Sequence, residues 1–115
     1  MSQQGYTVPV IALQQSQTAV NNGSSTMWVD TTANENYNRT FHCVVTGVGA
    51  VSATILIEVS NDGVNFITPG IATVTLSGTN VAVDGTSSAA PWAFVRANVT
   101  TISGTGASVT VLMGV

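Results

Sequence analysis

The stretch PWAFVRANVTTISGTGASVTVLMGV, residues 91–115, decides the fold. Ala93, Val95, Ala97 and Val99 form a small apolar set, and Trp92, Phe94, Arg96 and Asn98 alternate with it. After Ser103-Gly104-Thr105-Gly106 the alternation resumes, with Ala107, Val109, Val111 and Met113 set against Ser108 and Thr110. A period of two over six or more residues marks a strand with one buried face. The glycines between the runs predict a reversal, hence two long strands joined by a turn.

The same pattern extends toward the N-terminus. Val51, Ala53, Ile55, Ile57 and Val59 alternate with Ser52, Thr54, Leu56 and Glu58 in the cleanest strand pattern of the chain. Phe41, Cys43 and Val45 oppose Thr40, His42 and Val44 in residues 39–46. Gly47-Val48-Gly49-Ala50 between them predicts an antiparallel hairpin. Asn61-Asp62-Gly63 is a strong turn signal, because these residues accept the positive φ of tight turns. Residues 64–67 then predict a short returning strand stopped by Pro69-Gly70. Residues 71–76 and 81–83 flank Ser77-Gly78-Thr79-Asn80 as a further hairpin. Residues 26–31 predict a short strand carrying Trp28. Residues 6–13 predict a first strand that Pro9 confines to a sheet edge or to an arm reaching a neighbouring subunit.

No window has helical periodicity. The expected fold is all-β: a β-sandwich of jelly-roll or Greek-key type with eight or nine short antiparallel strands, a barrel being the alternative. At 115 residues the chain makes one domain, 1–115, with 1–13 as an N-terminal arm or edge strand.

Charge is scarce. Arg39 and Arg96 are the cations, lysine is absent, and the five acids Asp30, Glu35, Glu58, Asp62 and Asp84 give a net charge of −3. Charged residues are 6% of the chain, against roughly 25% in typical soluble domains, so Ser, Thr, Asn and Gln must form the polar surface. Nucleic-acid binding needs several cations to displace counterions from phosphates, which two arginines do not supply. A chain this poor in charge has little protection against self-association, and the composition is that of a protein living in an assembly, a secreted domain with a Ser/Thr-rich surface being the alternative. No run approaches the roughly 20 apolar residues of a membrane-spanning helix, so no membrane partner is expected. MSQQGYTVPV lacks the basic and apolar regions of a signal peptide, which predicts synthesis in a cytosol.

The residues offer little chemistry. His42 lies mid-strand among apolar neighbours, and the serines lie in turns without a nucleophile elbow, so no catalytic triad is expected. Cys43, the only cysteine, reads as a buried inert thiol. Asn61-Asp62-Gly63 with Asp84 is the best calcium candidate, yet these are more simply turn formers. No enzyme activity, metal or cofactor is expected. Trp28, Phe41 and Phe66 read as core. Trp92 and Phe94 share a face with Arg96, the usual make-up of an interface hot spot, unless Arg96 pairs internally with Glu58 or Asp62. The candidate interface is therefore Tyr6 and Pro9 in the arm, with Trp92, Phe94 and Arg96.

Three segments together carry a resemblance. They are IEVSNDGVNF at residues 57–66, PWAFVRANV at 91–99 and GTGASVTV at 104–111. Their strand–SNDG–aromatic and W-x-x-V-R-x-N-V…GTGA-x-V-x-V patterns resemble small β-rich virion proteins of tailed bacteriophages, over roughly residues 51–113. The resemblance implies a non-enzymatic structural protein of the capsid decoration (cement) type. Such a protein would sit on the outer capsid surface, made in the bacterial cytoplasm, with the major capsid protein and its own copies, as dimer or trimer, for partners. A tail, baseplate or fibre subunit and a jelly-roll carbohydrate-binding module stay open as alternatives.

Overall fold

The computed structural model describes residues 10–20, 26–27, 39–89 and 92–114. These form one antiparallel sheet without helix. Its strands are β1 (Val10–Gln17), β2 (Thr26–Met27), β3 (Arg39–Ser60), β4 (Ile67–Ser88) and β5 (Phe94–Gly114). The order is β1-β5-β3-β4, with β2 also pairing β5. The all-β antiparallel expectation holds. The strand count differs, because three strands of 21 or 22 residues stand where pairs of short ones were expected.

The difference arises at the glycines. Gly47 and Gly49, Gly78, and Gly104 and Gly106 do not reverse the chain; each lies inside a long strand. Residues 39–46 and 51–60 consequently do not pair with each other, and neither do the two halves of β4 or of β5. The reversal at Asn61-Asp62-Gly63 is real and joins β3 to β4. Pro69-Gly70 does not stop β4, which runs through it with a break in register.

What the glycines make is a crease. Thr46 pairs Val81 and Ala50 pairs Thr79, while Val48 pairs Thr105 and Ser52 pairs Ser103, so the three glycine runs lie side by side. Between the first two pairs β3 advances four residues and β4 only two, a bulge that bends the sheet. The side chain of Asn80 (φ 65°) repairs the ladder there, its Oδ1 accepting the Gly49 N–H at 2.8 Å. Gly104 has φ 130°, and a Cβ on it would sit 2.8 Å from the Ala50 carbonyl oxygen. Only glycine allows so close an approach. A straight strand of 22 residues would be roughly 70 Å long. The molecule spans 44 × 40 × 17 Å, so the long strands cannot run straight.

Folding at the crease lets both halves bury one face in a shared core. Phe41, Cys43, Val45, Val109, Val111 and Met113 come from one half; Ala53, Ile55, Ile57, Val59, Val95, Ala97 and Val99 come from the other. Gln14, beside Val111 in the ladder, reaches across to donate from Nε2 to the Ala97 carbonyl at 2.9 Å. Burying an aliphatic side chain fully is worth about 1.5–3 kcal/mol, so this alternation is the main stabilising pattern of the fold. Cys43 is fully buried, as its apolar run predicts. Phe66 departs from expectation, lying half-buried outside the core cluster. Trp28, Tyr6 and Pro9 lie outside the described residues.

Candidate functional site

Two surfaces concentrate the features that the sequence singled out. The first is the end of the sheet at the 61–65 turn. Ser60 and Asp62 build that turn between them. Asp62 Oδ1 accepts from Ser60 Oγ (2.7 Å) and from the N–H groups of Val64 and Asn65 (2.8 Å each), and Oδ2 accepts from Asn65 Nδ2 (3.0 Å). Ser60 Oγ in turn accepts the N–H groups of Asp62 and Gly63. These donors hold the Asp62 carboxyl far below the usual carboxylate range, the Ser60 hydroxyl contributing most. Its oxygens are thus occupied by its own turn.

Beside the turn, β4 bulges. Ile57 pairs Ala72 and Val59 pairs Ile67, so the intervening residues of β4 arch out of the ladder. Gly70 (φ 87°) is pressed onto β3; a Cβ there would strike the Ile57 carbonyl oxygen and stand 2.7 Å from Glu58 Cα. The arch brings Thr68 to Glu58, whose residue is fully covered although it faces away from the core. Glu58 Oε2 accepts from Thr68 Oγ1 (2.8 Å) and Asn98 Nδ2 (3.1 Å), and Oε1 accepts from Arg96 Nε (2.7 Å). Burial alone would raise the Glu58 carboxyl, but the hydrogen bonds from Asn98, Arg96 and Thr68 outweigh it and lower the pKa. The Arg96 guanidinium also lies 4.2 Å from the Phe66 ring centroid.

Of the two internal partners considered for Arg96, the structure uses Glu58. Trp92 is half-buried against the core and Phe94 half-buried beside Gly63. The structure therefore brings Phe94, Arg96 and Phe66 to one end of the sheet. Tyr6 and Pro9 of the predicted interface fall outside the described residues.

The second surface is the outer face of the half that contains residues 39–46, 81–88 and 107–114. Side chains here alternate away from the core: Thr40, His42, Val44 and Thr46 on β3, Val81 and Val83 on β4, Thr110 and Leu112 on β5. Val81 is 49% and Val83 58% exposed. His42 is exposed in the same face. Residues 81–83 are not one arm of a hairpin but part of this face, and their signal in the sequence is a Val-Ala-Val alternation followed by a single charge, Asp84.

Among the described residues no three His, Cys, Asp or Glu side chains converge as metal ligands. Asp62 and Asp84, the calcium candidates, stand in opposite halves, Asp84 being paired with Cys43 in the ladder. Burial, with the Asp84 charge adding to it, pushes the Cys43 thiol up to about 12. A shallow cleft of about 270 Å³ at the crease is lined by Thr18, Ile102, Ser103, Gly104, Gly106 and Ala107, which carry no titratable group.

No protein-family model, no curated protein and no solved structure matches the chain.

Proposed function

We propose that the chain is a structural virion protein of a tailed bacteriophage, most specifically a capsid decoration protein that binds the outer shell and braces joints between major capsid proteins. The observation that carries the reading is the character of the surface. Arg39 is 2% exposed and Arg96 is paired with Glu58, while Val10, Val81 and Val83 stand exposed on a uniform sheet face. Such a surface gains by being covered and has little with which to hold nucleic acid.

The folded sheet supports the jelly-roll form of this reading. Divided at the crease, β3, β4 and β5 count as two segments each; with β1 and β2 that makes eight. Numbered along the chain, segment 1 pairs 8, 2 pairs 7, 3 pairs 6 and 4 pairs 5. Segment 3 pairs 8 and 4 pairs 7. This order of pairing favours one long hairpin rolled on itself, the wrapping expected of double-sheet jelly rolls, an architecture shared by viral capsid and lectin domains. A lectin-like role would need exposed rings, whereas among the described residues Phe66, Trp92 and Phe94 are half-buried and Phe41 is buried.

The test is the copy number of the chain in purified particles of the phage that encodes it, by quantitative mass spectrometry. A ratio near one to the major capsid protein supports decoration. A handful of copies moves the protein to the tail, baseplate or fibre, and absence removes the virion reading. Trp92→Ala separates the role of that residue: weakened shell binding places it in an interface, and a lower melting temperature with binding intact places it in the core alone.

A further inference from the structure

We infer that residues 80–84 of β4 are the contact between copies of this chain, two such edges pairing antiparallel about a two-fold axis. The inference rests on the reading of the chain as an assembly component and specifies how its copies meet.

β4 is the last strand in the order β1-β5-β3-β4, so among the described residues its far side has no partner strand. An open edge exposes backbone donors and acceptors, and proteins usually defend such edges with proline, lysine, bulges or charge. The two halves of β4 differ sharply in this respect. The half before the crease is defended: Pro69 lacks an N–H, residues 68–71 arch out of the ladder, and Thr73, Thr75 and Ser77 face outward. The half after the crease has the sequence VAVDGTSS, with no proline, no lysine, a regular register against β3 and one charge, Asp84. It also carries the exposed Val81 and Val83, which continue the apolar line of Leu112 and Val44 to the rim of the sheet.

A second copy fits this edge better than a charged partner does. With the two-fold axis through Ala82, Val81 of one copy lies across from Val83 of the other, a cross-strand β-branched pair of the kind that stabilises sheets. Asp84 then faces Asn80, and the two Asp84 side chains are four residues apart along the strand, roughly 13 Å. That exceeds the Debye length of about 8 Å at physiological salt, so the one charge on the edge does not oppose pairing. The contact is isologous and closes at two copies, joining two four-stranded half-sheets into one of eight.

The test is light scattering with size exclusion on the full chain over a concentration series, comparing the wild type with V81K/V83K and with T75K. Thr75 is exposed on the defended half of the same strand. The expected result is a dimer for wild type and T75K, and a monomer for V81K/V83K with a melting temperature within a few degrees. If V81K/V83K does not fold, V83K alone, at the more exposed of the two valines, takes its place. A wild-type monomer at the highest concentration, a dimer that survives the lysines, or equal loss in T75K would each overturn the edge contact. Shell binding is scored separately: a dimer that ignores shells removes decoration but keeps the edge, and a monomer that binds them does the reverse.

Discussion

Replacing Arg96 by Met puts the covered carboxylate at the turn end of the sheet to a quantitative test. Arg96 is 21% exposed at its side chain and Glu58 is not exposed at all, so the change strands a charge that water cannot reach. Asn98 and Thr68 still donate to Oε2, which keeps the loss below the 3–5 kcal/mol of a buried pair left wholly uncompensated. What goes is one charge-assisted hydrogen bond, about 1.5–3 kcal/mol, and the contact with Phe66, about 0.5–1 kcal/mol. The expected cost is therefore about 3 kcal/mol, on the order of a 10 °C fall in Tm for a domain of this size. Urea unfolding should show a lower midpoint at unchanged slope. The double variant R96M/E58Q removes the stranded charge and should recover at least half of the loss, since an unpaired buried ion costs more than an absent pair. A cost under about 0.5 kcal/mol for R96M, or a double variant as unstable as the sum of both single variants, would refute the argument. The pH dependence follows the same carboxylate. The folded state holds the Glu58 proton less tightly than the unfolded chain, whose group has the ordinary value of 4.5. The stabilisation is complete above that value and disappears as pH falls through the lower folded one, so E58Q should flatten the acid limb of the stability curve.

Other positions give sharper yes-or-no results. Gly70→Ala should cost about 3 kcal/mol or prevent folding, because the new methyl has backbone of Ile57 and Glu58 in its way. Gly49→Ala, at a similar φ of 76° but with open space around it, should cost only about 1–2 kcal/mol, and thermal melts of the pair separate contact from conformation. Cys43 should resist an aromatic disulfide reagent at pH 8 in the folded protein and react one-to-one in denaturant; fast labelling of the native state would contradict its burial. Asp62→Ala should leave the sheet intact and speed amide exchange at Val64 and Asn65, whose N–H groups it holds. Unchanged exchange there would mean that the turn is kept by other contacts.

The inward-facing set was legible in the sequence to a degree that the pairing was not. Val51, Ala53, Ile55, Ile57 and Val59, with Val95, Ala97 and Val99, are buried as their alternation requires, because side-chain direction along a strand is a local property. Whether a glycine run turns the chain back or only bends it is decided elsewhere, by which strands lie alongside. Gly47-Val48-Gly49-Ala50 carries the same local signal as Asn61-Asp62-Gly63, yet one is a bend and the other a reversal. The second has Asp62 and Ser60 to close a hydrogen-bonded turn, whereas the first borrows Asn80 from another strand. The Glu58 partnership was half visible, Arg96 having been narrowed to two acids. Thr68 and Asn98 could not be foreseen, since the arch of residues 68–71 that delivers Thr68 is a tertiary packing event.

The crease has a mechanical meaning. β3, β4 and β5 pass through it as unbroken covalent strands, so the two halves of the sheet are coupled directly and not through loops. A load along β3 is carried by ladders on both of its sides, which must slide together under shear; they cannot be peeled open one bond at a time. Such a body resists a pull along its long strands more stiffly than a pull across them.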